Sequence, residues 1–292
     1  MYQGGSGEST PYRNRRALLD TCGGACDRAR MSGSDPELLT LMDRNLVAVY
    51  ATDTRATPGG EVVETESLVL CRTPHGTVST NMAIVTGSIE PETIRRLTAE
   101  VYGRGRSAFA VWTREHADRA LEPALERCGF HQIHREPGMV LVPRDGAPPR
   151  TATDAVIAPV TDDATRVEYG RLMARSFAVY GAPQDSVLEH FATLAAVCAP
   201  TTQAFLARRD GRAVAGATLY MAHGVGGIGW VGTAPEAFRR GYGQAVTWAV
   251  VDEGLRRGAR FMNLQASPMG EPMYRRMGFV TPTHYRWFLG PG

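Results

Sequence analysis

Gly232 to Gly243 read G-T-A-P-E-A-F-R-R-G-Y-G, and the helical pattern Q-A-V-T-W-A-V-V-D-E-G-L follows at once. Ile228 to Thr233 form an apolar, small-residue run that predicts a strand, and Pro235 breaks it. Glycines just ahead of a helix let the backbone turn tightly and aim free N–H groups outward. The helix start carries partial positive charge, so such a turn suits a phosphate or a diphosphate. Arg239 and Arg240 add forked cationic donors. Neither G-x-x-x-x-G-K-[ST] nor G-x-G-x-x-G is present in this stretch, which sets aside the nucleoside-triphosphate loop and the dinucleotide fingerprint.

The residues beyond the helix narrow the reading. Ala259 to Gln265 predict a short strand. Ala266 to Phe279 (A-S-P-M-G-E-P-M-Y-R-R-M-G-F) predict a short helix, with Pro272 in its first turn and Gly278 at its end. His284 to Leu289 predict a final strand. This order of elements and motifs resembles the GNAT superfamily of acyl-CoA N-acyltransferases. The family's cofactor motif, [Arg/Gln]-x-x-Gly-x-[Gly/Ala], is matched by Phe238-Arg239-Arg240-Gly241-Tyr242-Gly243, with Phe238 in place of the usual Arg or Gln. Its closing motif, a Tyr four residues before Gly-Phe, is matched by Tyr274 and Gly278-Phe279.

The resemblance implies an α+β fold with a mixed sheet and a GNAT domain over residues 155–292. It also implies transfer of an acetyl group from acetyl-CoA to a primary amine of a small molecule or peptide, by direct attack in a ternary complex. Val231, Gly232 and Thr233 would touch the pantetheine arm and thioester. The turn from Phe238 through Arg239, Arg240, Gly241, Tyr242 and Gly243 to Gln244 would hold the diphosphate. Tyr274 would protonate the departing thiolate, and Ser267 stands where the family often has an Asn seven residues before that Tyr. No general base stands out; Glu168, Tyr169, His223, Glu236 and Glu271 are candidates, and a water relay serves equally. A second reading, a CoA-binding or interaction module without turnover, rests on Phe238, on Ser267 in place of the Asn and on a degenerate first half. No metal is implied.

Composition agrees with a globular protein: 292 residues, 43% hydrophobic, 21% charged. The net charge of +2 gives no footprint for nucleic acid, and no apolar run reaches the roughly 20 residues of a membrane span. Residues 1–16 lack the apolar core of a signal peptide, so cytoplasmic residence is the expectation, as a monomer or homodimer. All 32 basic residues are Arg, so no Lys serves as base or nucleophile. The five cysteines (22, 26, 71, 128 and 198) form no disulfide framework.

Ahead of the C-terminal domain, residues 1–33 are Gly-, Ser- and Arg-rich and predict a disordered tail or an upstream-start extension. Asp35-Pro36-Glu37 open a helix. Strands are predicted over 47–53, 67–73, 77–85, 107–113 and 139–143, and helices over 91–102 and 118–128. Residues 146–154 read as a linker. Phe109 to Phe130 parallel Phe261 to Phe279: each is strand, short helix and Gly-Phe, with Leu125 where the second copy has Tyr274. The repeat favours two GNAT-like halves, the first (34–145) degenerate, over an unrelated α+β cap.

Overall fold

Asp35 starts the first helix, α1 (Pro36–Ala56), by accepting the Glu37 amide at 2.9 Å, with Pro36 in the first turn where no N–H is needed. The computed structural model describes residues 35–75, 77–103, 107–143, 150 and 152–291. The expected tail and most of the expected linker, with Cys22 and Cys26, lie outside the described residues. After α1 come β1 (Glu61–Glu64), β2 (Leu68–Arg72), β3 (Met82–Val85), α2 (Pro91–Tyr102), β4 (Ala110–Arg114), α3 (Glu122–Arg127) and β5 (His131–Leu141). The second half runs β6 (Val156–Pro159), α4 (Asp163–Phe177), α5 (Gln184–His190), β7 (Cys198–Ala199), β8 (Thr202–Arg209) and β9 (Arg212–Ala222). It closes with β10 (Val225–Thr233), α6 (Tyr242–Arg256), β11 (Met262–Gln265), α7 (Glu271–Arg276) and β12 (Val280–Leu289).

The strand expected over 47–53 is helix. Its Val-Ala-Val-Tyr run favours strand locally, but Leu38, Met42, Asn45, Leu46 and Asp53 recur at helical spacing and are all buried, so tertiary packing overrides propensity. The strand expected over 77–85 begins only at Met82, because Thr80 and Asn81 donate their amides back to the Thr77 carbonyl. The helix expected over 118–128 shortens to α3, since the Asp118 carboxylate accepts the Arg114 amide at 2.8 Å and fixes the approach as a turn.

The described strands form one mixed α/β sheet in the order β1-β2-β3-β4-β12-β5-β11-β10-β9-β8-β6, with β7 alongside β8. The two halves repeat one topology. Strands β1, β2 and β3 are antiparallel neighbours, and β3 pairs parallel with β4 through the crossover helix α2. Likewise β8, β9 and β10 are antiparallel neighbours, and β10 pairs parallel with β11 through α6. In each half a short helix then ends in a left-handed glycine before Phe, Gly129 at φ 86° and Gly278 at φ 92°.

The last strands cross over. Strand β5 of the first half lies between β11 and β12 of the second, and β12 lies between β4 and β5 of the first. Each half therefore completes the other's sheet. Helix α1 reinforces the union: the Asn45 amide donates to the Val225 carbonyl at 3.2 Å, and a Cβ at Gly227 would come within 2.4 Å of the Asn45 side chain. Helix α4 is capped by Asp162 and Thr165 and buries Tyr169, Leu172 and Met173 on β9 and β10. Each large apolar side chain buried in this way contributes about 1.5–3 kcal/mol.

Candidate acyl-transfer site

Strand β10 pairs with β11 only at Gly226–Met262 and Gly227–Asn263, although β10 continues to Thr233. Beyond these pairs the two strands part. The register between β10 and β9 also slips between Gly229 and Gly232, and Trp230 takes a left-handed φ of 49°. That is a β-bulge, which re-aims backbone groups out of the ladder. Val231 lies within it. Gly232 follows, packed against α4: a Cβ there would stand 2.9 Å from Met173 and Ser176 atoms. In the first half, β3 and β4 stay in register over three consecutive pairs with no bulge.

After Thr233 the chain makes a single turn of 3₁₀-helix (Pro235–Ala237) and reaches the arginines. Arg239 has φ 61° and Gly241 φ 83°, and α6 starts at Tyr242. Two left-handed residues so close together fold the backbone into a concave turn that presents its N–H groups. Among the described residues the amides of Arg239, Arg240, Gly241, Tyr242 and Gly243 donate to no protein acceptor. The Phe238 amide differs: it donates to the Pro235 carbonyl at 3.4 Å, and its side chain is exposed. Phe238 therefore supplies no free amide, contrary to the expectation that the cradle begins there. Gly243 sits against Thr233, where a Cβ would lie 3.0 Å from Oγ1, and the half-buried Gln244 holds the third position of α6. Tyr242 is buried and its hydroxyl donates to Asp154 at 2.8 Å.

Arg239 and Arg240 are exposed and without ion-pair partners among the described residues. Arg240 also borders a cleft of about 1000 Å³ walled by Arg171, Arg175 and Arg212. Oriented amides at a 15-residue helix start, flanked by unpaired cations, are the donor set a diphosphate requires. The residues present thus fit the carrier that the sequence implied.

Tyr274 lies on α7, whose Met273 packs beside Gly243. Its ring stands edge-on to Phe279 at 5.7 Å, and its hydroxyl makes no hydrogen bond to the described residues. Burial, with Tyr180 nearby, raises its pKa well above the usual phenol range, so it is protonated at neutral pH. Ser267 is turned toward capping: its Oγ accepts the Gly270 amide at 3.2 Å and lies 3.4 Å from the Tyr180 hydroxyl.

The candidate bases are mostly engaged elsewhere. Glu168 is paired with Arg208 at 2.5 Å, Glu236 with Arg175 at 3.1 Å and Glu271 with Arg275 at 2.6 Å. Tyr169 is buried, bonded to Thr218 at 2.7 Å, and donates to the Trp230 carbonyl at 3.3 Å. Burial lifts its pKa far above the range in which a base operates. His223 lies in the β9–β10 turn, at the end of β10 remote from the bulge.

Sequence reasoning missed a group under the bulge. Asp53 of α1 is buried and accepts the Tyr220 hydroxyl at 2.6 Å and Trp230 Nε1–H at 2.8 Å. His190 Nε2 stands 3.5 Å from the same carboxylate, and its Nδ1 is 3.1 Å from Thr57 Oγ1. A carboxylate of the first half thus holds the side chain at the strained bulge of the second. An Asp inside an apolar helical stripe was the available signal, hidden once that segment was read as a strand.

Residues 170–279 match the family described as "Acetyltransferase (GNAT) family". No curated protein matches the chain. Among solved structures, a GCN5-related N-acetyltransferase from Kribbella flavida is similar at 18% identity and a TM-score of 0.63, over 84% of this chain and 96% of that one. A protein assigned to the GNAT acetyltransferases from Novosphingobium aromaticivorans is similar at 20% identity and a TM-score of 0.52, over 82% and 96%. A tandem GNAT protein from the clavulanic acid biosynthesis pathway is similar at 14% identity and a TM-score of 0.52, over 90% and 98%. At these identities the likeness is one of fold. Among the described residues no helix is long and apolar enough to cross a membrane, and no group of three or more His, Cys, Asp or Glu could hold a metal ion.

Proposed function

We propose, from the match of residues 170–279 to the acetyltransferase (GNAT) family, that the chain moves an acetyl group from acetyl-CoA to a primary amine of a small molecule or peptide. The observation that carries this reading is the turn at Arg239–Gly243, whose amides have no protein acceptor among the described residues and open beside the bulged end of β10. Those amides and the two arginines would hold the diphosphate. Backbone groups of Val231, Gly232 and Thr233, turned out by the bulge, would orient the pantetheine arm and donate to the oxyanion that develops on the thioester carbonyl. Acetyl-CoA supplies an activated acyl group with a thiolate leaving group. Tyr274, held protonated by burial, would give its proton to that thiolate.

The first half would hold no CoA. Its crossover helix α2 is N-capped by Glu90 and carries Glu92 in the first turn, so carboxylates stand at the helix start where the second half has Gly241 and Gly243. Its parallel strands also stay closed. Its role in this reading is to finish the sheet and brace the bulge.

The test is CoA binding by calorimetry, followed by acetyl-CoA with an amine panel, reading thiol release and amide mass. Failure to bind CoA removes the proposal. Binding with no turnover on any amine selects the alternative, a CoA-binding module without catalysis.

A further inference from the structure

The swapped strand β5 carries a carboxylate to the gap between β10 and β11. Gly138 of β5 lies opposite both Gln265 of β11 and Thr283 of β12, and Glu136 lies opposite Tyr285. Side chains alternate along a strand, so Glu136 shares a face with Gly138. A Cβ at Gly138 would meet the Tyr285 ring at 2.6 Å, and the Tyr285 hydroxyl donates to Asp43 of α1 at 2.9 Å. Glu136 therefore faces α1. There Tyr50 is its neighbour: burial, then the charges of Glu136 and Asp53, raise the Tyr50 phenol well above its usual range. One turn along α1, Asp53 grips Trp230 of the bulge. Along β11, the Ala266 amide donates to the Pro137 carbonyl at 3.0 Å, which brings Glu136 level with Ser267. Glu136, Tyr50, Asp53 and Trp230 thus line one side of the parting strands, and Ser267 with Tyr180 closes the end toward Tyr274.

Glu136 stands apart from the chain's other acids near this gap. Among the described residues it has no hydrogen bond and no ion pair. Its neighbour Arg135 points to the opposite face, where it binds Glu115 and His284. Asp53 is occupied by Tyr220 and Trp230, and Asp43 by Arg114, His116 and Tyr285. On this face its neighbours are the phenols of Tyr50 and Tyr285, and Asp43 with its partners Arg114 and His116 lies beyond the Tyr285 hydroxyl. Burial pushes its carboxyl up to about 7.

We propose that Glu136, contributed by the first half, binds the acceptor's ammonium group and takes its proton. This rests on the acyl-transfer reading above. The ammonium N–H bond breaks, its proton moves to a Glu136 carboxylate oxygen, and the freed lone pair attacks the acetyl carbonyl carbon. The C–S bond breaks as the amide C–N bond forms. The second proton lost from nitrogen leaves to solvent, and the departing sulfur takes the Tyr274 proton, which solvent restores. The acceptors selected are cationic amines rather than alcohols or thiols, because an unpaired half-buried carboxylate stabilises a positive charge.

Bromoacetyl-CoA tests this without a known acceptor, since it sets an electrophilic carbon where the acetyl methyl would lie. A carboxylate in reach displaces bromide and becomes an ester. The expected result on the full chain is a single CoA-dependent adduct, mapped to Glu136 by peptide mass spectrometry. Its rate should rise with pH to a midpoint near 7 and fall with excess CoA as competitor. Glu136→Gln should retain CoA, stay folded and lose the adduct. A wild-type chain that binds CoA but is alkylated elsewhere, or not at all, overturns the role of Glu136 alone. A chain that does not bind CoA overturns the acyl-transfer reading beneath it.

Discussion

Replacing Asp53 with Ala would strip the acceptor from two donors, the buried Tyr220 hydroxyl at 2.6 Å and the half-buried Trp230 indole N–H at 2.8 Å. Each stranded donor costs about 1–3 kcal/mol, and relief from burying the carboxylate returns part of the sum. A net loss of about 3 kcal/mol follows. For a chain of this size each kcal/mol moves the melting temperature by roughly 2–4 °C, so a fall of about 6–12 °C is expected. Asp53→Asn keeps one acceptor oxygen and should lose about half as much. Circular-dichroism melts of wild type, Asp53→Ala, Tyr220→Phe and the double variant give the pair energy. Residues in one network should couple by more than about 0.5 kcal/mol. Since Trp230 sits at φ 49° in the bulge, loss of its anchor should also weaken CoA binding at a site Asp53 does not touch. An Asp53→Ala chain melting within 2 °C of wild type, with unchanged CoA affinity, would refute the view that the first half braces β10 (about 0.5–1 kcal/mol on the same scale).

Tyr274→Phe should lower kcat by about 10²-fold or more, the usual worth of a positioned acid, while CoA affinity by calorimetry stays within about twofold. Gly241→Ala forces a side chain into φ 83° and should cost about 1–2 kcal/mol of stability, seen as a lower melting temperature, and weaken CoA binding by distorting the turn. Arg239→Ala with Arg240→Ala should raise the CoA dissociation constant and flatten its dependence on salt, measured by titration at two ionic strengths. Glu136 has a folded-state value of about 7 against about 4.3 unfolded, so the folded chain holds the extra proton between them; stability falls as pH rises through that window and levels off above it. Glu136→Gln should therefore be flatter than wild type in melts from pH 5 to 8, and more stable at pH 8.

The amino-acid sequence by itself determined the second half. Its cues are local: Pro235, the paired arginines, Gly241 at the helix start, Asp162 capping α4 and Gly278 ending α7 each act within a few residues. The mixed sheet and the crossover helix α6 follow from such cues and from apolar periodicity. The first half was less legible, because α1 has β-branched residues whose helical state depends on the surface they pack against. Only the tertiary structure decided the exchange of β5 and β12, since two strands of similar pattern can pair with either half and the choice lies in contacts far apart in sequence. That exchange carries Glu136 toward the parting of β10 and β11, while Asp53 reaches Trp230 from α1, and no spacing within the chain announces a carboxylate that crosses from one half to complete the other.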